Sequence, residues 1–359
     1  MGTARRGDAA AALVEEHLAE LARLTDTAGA VVVGRIVQRV AAPTPRYFIG
    51  PGKVTELRAL AEQTAATLVI FDDDLSPSQG RNLERALDRR IMDRSEVILD
   101  IFATRARSKE AKVEVELAQL EYLLPRLARM WVHLSRIRGG IGLRGPGETQ
   151  IETDRRMIRR KISRLRRELE KVVRHRGVLR HGRRPIPTVA LVGYTNAGKS
   201  SLLKALTGAE TLVDDRLFAT LDTLTREALL DGGKGGGSEG RVRLIDTVGF
   251  IRKLPHHLVA SFSATLEEAR HADILAHVVD ASHTDWEEQV EVVDGVLADL
   301  GETPRPVLHV FNKMDLVTEP EVFRAQAASR FENAVFISAA KGDVAGLVSA
   351  IASAPSRSG

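Results

Sequence analysis

Cysteine is absent from this chain of 359 residues. Disulfide bonds, thiolate nucleophiles, and zinc or iron–sulfur sites with cysteine ligands are therefore excluded. Long hydrophobic runs are absent as well. The first residues contain no apolar stretch of signal-peptide length, and no later stretch approaches the ~18 apolar residues of a membrane span. We therefore expect a cytoplasmic protein without a membrane span, and a peripheral association with membranes stays open.

Positive charge is concentrated in one segment, although the net charge is only +4. Residues 152–184 contain fourteen Lys and Arg against four Asp and Glu. The rest of the chain carries 38 basic and 44 acidic residues and is therefore acidic overall. A local excess of this size indicates a polyanionic partner for the segment.

The fold class predicted from the pattern is α/β, with a helical arm between two α/β domains. Residues 1–108 form a small N-terminal α/β subdomain with a parallel sheet, because strand and helix patterns alternate. Its predicted helices cover 13–24, 54–63 and 79–88, and its predicted strands cover 30–37, 67–71 and 97–101. Residues 183–187 read as a linker, and a second α/β alternation occupies 188–359.

Residues 109–182 are predicted to form a long antiparallel helical hairpin with a glycine-rich tip at 138–149. Apolar residues recur every three or four positions from Val113 to Leu134 and again from Ile151 to Val172, as in two packed helices. Pro125 should kink the first arm. A Ser/Thr-x-x-Glu capping pattern at 149–152 places the start of the second arm there.

A phosphate-binding loop follows the buried strand at 189–192. The Gly-x4-Gly-Lys-Ser pattern lies between a strand and a helix, the setting that this loop requires. Its backbone N–H groups surround a β-phosphate, Lys199 reaches the β- and γ-phosphates, and Ser200 offers a hydroxyl to Mg²⁺. The loop consists of Gly193, Tyr194, Thr195, Asn196, Ala197, Gly198, Lys199 and Ser200.

Three later elements predict that the nucleotide is GTP or GDP. A strand delivers Asp246, Thr247, Val248 and Gly249, which can hold Mg²⁺ through water and meet the γ-phosphate. A second strand delivers Asn312, Lys313, Met314 and Asp315. The Asp315 carboxylate only accepts hydrogen bonds, so it suits the N1–H and 2-amino donors of guanine, which adenine lacks as a pair. A third strand leads to Ser338, Ala339 and Ala340, where the Ala339 N–H can meet the guanine oxygen.

The first switch segment is predicted at Phe218, Ala219, Thr220 and Leu221, with further threonines at 223 and 225. We expect Thr220 to join Ser200 as a ligand of Mg²⁺, the predicted cofactor. No catalytic side chain is assigned, because Phe250 occupies the position where many GTPases place a water-orienting Gln. Phenylalanine cannot hydrogen-bond water, so we expect slow intrinsic hydrolysis that a partner accelerates. The alternative is that Phe250 packs as ordinary core, and in that case too no side chain at this position polarises the water.

The arm carries candidate RNA contacts. On the second helix an almost unopposed arginine row is typical of phosphate contact, whereas a merely solvated face usually mixes charge signs. The glycine-rich, basic tip is equally compatible with contact to an RNA backbone and with a plain connecting loop. The candidates are Arg138 and Arg144 in the tip, and Arg155, Arg156, Arg159 and Arg160 in the second helix.

Two N-terminal features have two interpretations each. The Gly-Pro-Gly-Lys run at 50–53 could bind a phosphate, but such a run more often begins a helix. The three aspartates at 72–74 could hold a metal ion, but they more often serve turns and caps.

The chain resembles the HflX family of translational GTPases over nearly its whole length. The resemblance rests on YFIGPGK at 47–53, LDIFA at 99–103, VELAQL at 115–120, YLLPRL at 122–127, GGIG at 139–142, GPGE at 145–148 and DTVGFIR at 246–252. Family members often read Leu-Asp-Pro-Thr in the first switch, whereas this chain has Leu221-Asp222-Thr223-Leu224-Thr225.

The resemblance implies a GTPase that binds the large ribosomal subunit and its RNA, with the hairpin tip directed toward the peptidyl transferase centre. It also implies splitting of ribosomes or rescue of stalled ones, with GTP hydrolysis stimulated by the ribosome. We expect a monomer. The alternatives are a ribosome-assembly or RNA-binding GTPase without splitting activity, and an ATP-dependent RNA remodeller that uses the N-terminal domain.

Overall fold

The computed structural model describes residues 1–4, 8–39, 42–127, 148–181, 186–208, 217–229, 240–254, 268–299 and 306–354. The chain folds into two compact units. The first contains Met1–Thr104 and Lys112–Leu169, and the second contains Arg105–Ala111 and Glu170–Gly359. The predicted mixture of parallel sheets and helices is confirmed. The four-region division of the sequence stays a prediction.

The first unit combines short parallel strand pairs with helices. Strands β1 and β2 pair in parallel, and so do β3 and β4. The elements are β1 (Gly2–Ala4), α1 (Asp8–Thr27), β2 (Val37–Arg39), α2 (Pro51–Gln63), β3 (Leu68–Phe71), α3 (Pro77–Leu87), β4 (Arg90–Asp93), α4 (Arg94–Arg105), α5 (Lys109–Leu123) and α6 (Glu148–His181). Helix α5 begins in the second unit and continues into the first, and helix α6 passes from the first unit into the second after Leu169.

Two predicted strands differ from the structure. The strand predicted over 97–101 is wrong, because these residues lie in helix α4, where Ile98, Ile101 and Phe102 are buried. A short apolar run buried on all sides does not distinguish a helix from a strand by its periodicity. The strand predicted over 30–37 begins only at Val37, where it pairs with Gly2.

Buried charges explain the aspartates at 72–74. The Arg94 guanidinium is almost fully buried, donates to Asp72 at 2.8 Å and also bonds to Glu20. Asp74 accepts a hydrogen bond from the Ser95 hydroxyl. Asp72 and Asp74 therefore support the start of α4 through a buried ion pair and a hydrogen bond, and the turn-and-cap interpretation did not predict the ion pair.

The Gly-Pro-Gly-Lys run begins a helix. Gly50 is the N-cap of α2, and Pro51 occupies the first turn, where the missing N–H costs nothing. Lys53 forms an ion pair with Glu56 at 2.7 Å within the same helix. The helix-entry interpretation thus describes the local structure.

The two arms of the hairpin pack through the predicted apolar seam. Leu117 of α5 lies in one buried cluster with Ile162, Leu165 and Leu169 of α6. Helix α5 ends at Leu123 and is followed by a 3-10 turn at Leu124–Arg126. This turn contains Pro125, where a kink was predicted. Helix α6 begins at Glu148, one residue before the predicted cap. Most of the predicted tip, including Arg138 and Arg144, lies outside the described residues.

The second unit is built on a six-stranded sheet in the order β10-β9-β8-β5-β7-β6. All neighbours are parallel except β6, which is antiparallel to β7. In the described residues, helices follow β5, β8 and β9, since parallel strands need crossover connections. The elements are β5 (Thr188–Gly193), α7 (Lys199–Thr207), β6 (Leu224–Leu229), β7 (Arg241–Asp246), β8 (Ile274–Asp280), α8 (Trp286–Asp299), β9 (Val307–Asn312), α9 (Pro320–Arg330), β10 (Ala334–Phe336) and α10 (Ala345–Ser353).

The sheet places loops with polar residues along one edge. The central strands β5 and β8 are buried almost throughout, since helices or loops cover both of their faces. The carboxyl ends of β5, β7 and β9 lead directly into three of the predicted nucleotide motifs, and ligands of open α/β sheets bind at this edge. No helix in the described part of the chain is long and apolar enough to span a membrane.

We predict that Arg94→Ala destabilises the first unit by about 3–5 kcal/mol, because it removes a buried guanidinium that two carboxylates share. Arg90→Ala is the matched control, since Arg90 is exposed and pairs with Glu96 at the surface, and it should cost at most about 1 kcal/mol. Urea denaturation followed by circular dichroism measures both. Equal losses for the two variants would contradict the role of the buried cluster.

Candidate nucleotide-binding site

The phosphate loop connects β5 to α7 at the centre of the sheet. Gly198 has a φ of 92°, and a Cβ atom there would lie 2.3 Å from Asn312 Nδ2. Gly249 approaches the loop just as closely, because a Cβ atom there would lie 2.7 Å from Thr195 Cα. Only glycine fits at these two positions. The backbone N–H groups at the start of α7 therefore stay open toward a phosphate.

Lys199 is buried below this loop. Its ammonium donates to the carbonyl oxygens of Gly193 at 3.0 Å and Tyr194 at 2.9 Å. Burial lowers the pKa of Lys199 to about 8, and the nearby Asp246 carboxylate opposes this shift. A bound phosphate would place further negative charge beside the ammonium and favour its protonated form.

Three oxygen-bearing side chains meet beside Lys199. Ser200 Oγ lies 2.7 Å from Thr220 Oγ1 and donates to Asp246 Oδ2 at 2.7 Å. Asp246 is fully buried, and its Oδ1 has no hydrogen-bond partner among the described residues. Burial raises the pKa of this carboxyl, while Lys199 and the two hydroxyls oppose the shift. Mg²⁺ prefers hard oxygen ligands, so the donor set of Ser200, Thr220 and Asp246 fits this ion.

Asn312 links the phosphate loop to the predicted guanine loops. Its buried side chain donates from Nδ2 to the Ala197 carbonyl at 2.9 Å and accepts from the Ala339 N–H at 3.0 Å on Oδ1. The amide therefore satisfies one buried group in each of two loops. These two hydrogen bonds place the turn at Ala339, which follows β10, against the phosphate loop.

The Asn-Lys-Met-Asp segment leaves β9 in an unusual conformation. Lys313 has a left-handed φ of 64°, and its ammonium bonds to Asp280 Oδ2 at 2.6 Å. Asp315 accepts from the Ser338 hydroxyl at 2.5 Å. The Asn-Lys-Met-Asp segment and the loop after β10 are thus joined by a hydrogen bond, in which Ser338 occupies one carboxylate oxygen of Asp315.

A cavity of about 350 Å³ collects residues from all the predicted motifs. Its lining contains Thr195, Asn196, Gly198, Lys199, Ser200, Phe218, Ala219, Thr220, Thr247, Gly249, Asn312, Lys313, Asp315, Ala339 and Ala340. The remaining predicted residues stand in the same loops without lining the cavity, namely Gly193, Tyr194, Ala197, Leu221, Asp246, Val248, Met314 and Ser338. Ser201 and Leu316 also line it, although sequence reasoning did not name them. Their positions directly after Ser200 and Asp315 are the signal that could have identified them.

Phe250 packs as core. Its side chain is 1 % exposed, while its backbone pairs with the phosphate loop through Thr195 N–H at 2.7 Å and Gly193 O at 3.1 Å. The structure therefore follows the alternative interpretation of Phe250. The side chain at this position has no polar group with which to orient a water molecule.

The arginine row of α6 is largely exposed. Arg156, Arg159 and Arg160 are exposed, and Arg155 is half-buried. Acidic residues oppose the row more than the sequence predicted. Arg166 pairs with Glu121 of α5 at 2.7 Å, and Arg159 lies 3.8 Å from Glu152. Among the described residues, Arg156 and Arg160 have no acidic partner within 4 Å.

Three family models match successive parts of the chain. Residues 15–103 match a family described as GTP-binding GTPase N-terminal, and residues 105–183 match GTP-binding GTPase Middle Region. Residues 188–313 match a family described as 50S ribosome-binding GTPase. Together these matches cover most of the chain.

Curated relatives match at high identity. GTPase HflX of Caldanaerobacter subterraneus subsp. tengcongensis is 51 % identical over 305 residues, which are 84 % of this chain and 70 % of the relative. GTPase HflX of Escherichia coli K12 is 47 % identical over 332 residues, 91 % of this chain and 76 % of the relative. Among solved structures, a GTP-binding protein from Sulfolobus solfataricus in complex with GDP is 24 % identical, with a TM-score of 0.47. That match covers 98 % of this chain and 97 % of the other.

We predict that Asp315→Asn exchanges guanine for xanthine specificity. The Asn amide donates a hydrogen bond where the carboxylate accepts one, so it suits the 2-oxo group of xanthine and opposes the 2-amino group of guanine. GTP affinity should fall about 100-fold, and XTP affinity should rise. Fluorescent-nucleotide titration measures both. Met314→Leu, a neighbouring change of similar volume, is the control; unchanged GTP preference in Asp315→Asn would contradict the assignment.

We also predict that GDP affinity falls as the pH rises from about 7 to about 9. Lys199 has a pKa of about 8 in the free protein, and phosphate favours its charged form. Above that pH, GDP binding must therefore be accompanied by uptake of a proton, and the GDP affinity falls by up to about tenfold per pH unit. Arginine stays charged throughout, so Lys199→Arg should show a flat profile from its own starting affinity. Parallel profiles for both proteins would contradict the buried-lysine account.

Proposed function

The chain belongs to the HflX family of GTPases, and on this premise we propose that it is a Mg²⁺-dependent GTP switch of the large ribosomal subunit. In this proposal Lys199 contacts the β- and γ-phosphates, Ser200 and Thr220 hold Mg²⁺, and Asp315 selects guanine. The GTP-bound protein binds the subunit as a cytoplasmic monomer and splits or rescues stalled ribosomes. Hydrolysis, stimulated by the ribosome, then releases it.

The exposed arginines of α6 carry the ribosomal part of the proposal. Arg156 and Arg160 stand four residues apart and therefore project from one helix face. Both are exposed, so a phosphate backbone can reach them without displacing protein. Guanidinium groups bind phosphate with two parallel hydrogen bonds. The description of the family matched at 188–313, 50S ribosome-binding GTPase, supports the same partner.

The packing of Phe250 supports stimulation by a partner. Its ring is buried, and it has no polar group that could align the attacking water. Slow hydrolysis in the isolated protein follows. A ribosomal surface that orders the switch segments would then supply the missing alignment, so that the GTP-bound state lasts until the partner is engaged.

The second candidate is a ribosome-assembly or RNA-binding GTPase without splitting activity. The same arginine face and the same nucleotide cavity serve it, because neither feature requires that the two subunits separate. Sucrose-gradient analysis of intact ribosomes after addition of the GTP-bound protein distinguishes the candidates. Conversion of whole ribosomes into subunits favours splitting, whereas binding to subunits alone favours assembly.

We predict that the double variant Arg156→Ala, Arg160→Ala weakens binding to isolated large subunits and reduces its salt dependence. Each lost phosphate contact lowers the slope of log affinity against log salt by ~0.7–0.9, so two contacts lower it by roughly 1.5. Co-sedimentation with a non-hydrolysable GTP analogue at several salt concentrations gives the slope.

The matched control is Arg23→Ala, Arg58→Ala, which removes two exposed helix arginines of the N-terminal region. It changes the net charge equally and should leave the slope unchanged. The proposal is contradicted when both double variants bind like the original protein, or when both lower the slope equally.

A further inference from the structure

The segment of the first switch that follows Thr220 makes a contact outside the nucleotide site. The Asp222 carboxylate accepts hydrogen bonds from the backbone N–H groups of Arg107 at 3.1 Å and Ser108 at 3.2 Å. It also accepts one from the Ser108 hydroxyl. All three donors lie at the start of helix α5, which begins at Lys109.

The contact completes the N-terminal cap of α5. Ser108 Oγ accepts the N–H of Ala111 at 3.0 Å, as an N-cap side chain does. The hydroxyl hydrogen of Ser108 and two backbone donors then go to Asp222. A carboxylate at a helix N-terminus also interacts favourably with the helix dipole. The switch segment thus supplies part of the cap of a helix more than a hundred residues away in sequence.

The other side of the same segment is fixed at the nucleotide site. Phe218 N–H donates to Thr195 Oγ1 of the phosphate loop at 3.0 Å, and Thr220 Oγ1 lies 2.7 Å from Ser200 Oγ. One residue, Leu221, separates Thr220 from Asp222, and a span of two residue steps extends at most about 7 Å. A displacement of Thr220 from Ser200 by more than a few ångströms must therefore move Asp222 or break its hydrogen bonds.

We propose that Asp222 is a positioning residue, which ties the location of Thr220 at the Mg²⁺ site to the N-terminal cap of helix α5. The proposal rests on the proposed role of Thr220 as a metal ligand. Residues 105–111 belong to the same compact unit as the switch, and the chain leaves that unit with α5 after Ala111. Through this contact, a change at the nucleotide site is passed to the start of helix α5, and along that helix to the first arm of the hairpin. In the reverse direction, whatever holds the start of α5 stabilises Thr220 beside Ser200.

Hydrogen exchange of the isolated protein tests this link. With Mg²⁺ and a non-hydrolysable GTP analogue, the amides of Arg107 and Ser108 should exchange at least about fivefold more slowly than with GDP, the low end of typical coupling. In Asp222→Ala the two nucleotides should give equal exchange at these amides. The preference for the GTP analogue over GDP should also fall by about fivefold, while GDP affinity stays unchanged.

Matched variants separate the link from general effects. Glu227→Gln removes one exposed charge from strand β6 and should leave both readouts unchanged. Ser108→Ala keeps the backbone donors and should produce a smaller loss than Asp222→Ala. Equal exchange with both nucleotides in the original protein, or an unchanged nucleotide preference in Asp222→Ala, overturns the proposal.

The proposed role of Thr220 is tested separately by Thr220→Ala. This variant should lose Mg²⁺-dependent preference for the GTP analogue whether or not Asp222 is a positioning residue. If Thr220→Ala binds both nucleotides normally, the metal-ligand role fails; if only Asp222→Ala does so, the link alone fails. No ribosome takes part in these measurements, so they do not depend on the proposed partner.

Discussion

The side chain of Asn312 makes the contact on which the geometry of the nucleotide cavity depends. One buried amide joins the carbonyl of Ala197 in the phosphate loop to the N–H of Ala339 beyond β10. A buried amide that lost either bond would leave a polar group unsatisfied, at a cost of about 1–3 kcal/mol. The two loops are therefore held at one separation. Gly198 permits it, because any larger residue would collide with the same amide.

Buried charge makes this cavity chemically suited to the metal–phosphate ligand of the proposed function. Asp246 and Lys199 are both buried, burial disfavours the charged form of each, and each opposes the shift of the other. Phosphate favours a charged lysine, whereas a divalent cation favours an ionised carboxylate. A ligand that carries both at once satisfies the pair. The Asp222 contact would pass the effect of a bound ligand from the cavity to helix α5. The segment around Thr220 is held at Ser200 on one side and at Ser108 on the other.

The nucleotide motifs were predictable because their chemistry is local. A strand, a glycine turn and a polar residue at a fixed spacing place Lys199, Asp246 and Asp315 at one sheet edge without knowledge of the remaining fold. Features that depend on tertiary contacts were not predictable. The run at 97–101 lies in helix α4 with four of its five residues buried, and so short an apolar run does not by itself distinguish a helix from a strand. Arg166 meets Glu121 only because the two arms pack together. For the same reason, spacing in the sequence gives no indication that Asp222 contacts Ser108.

We propose that this GTPase hydrolyses GTP slowly alone and is activated by the large ribosomal subunit. Single-turnover GTP hydrolysis with and without purified large subunits tests it most directly, with Lys199→Ala as the blank. We expect slow turnover by the isolated protein and stimulation of at least about tenfold by the subunits, a modest threshold beside the ~10³–10⁵-fold that GTPase activators supply. Rapid hydrolysis by the isolated protein, or an unchanged rate in the presence of subunits, would contradict it.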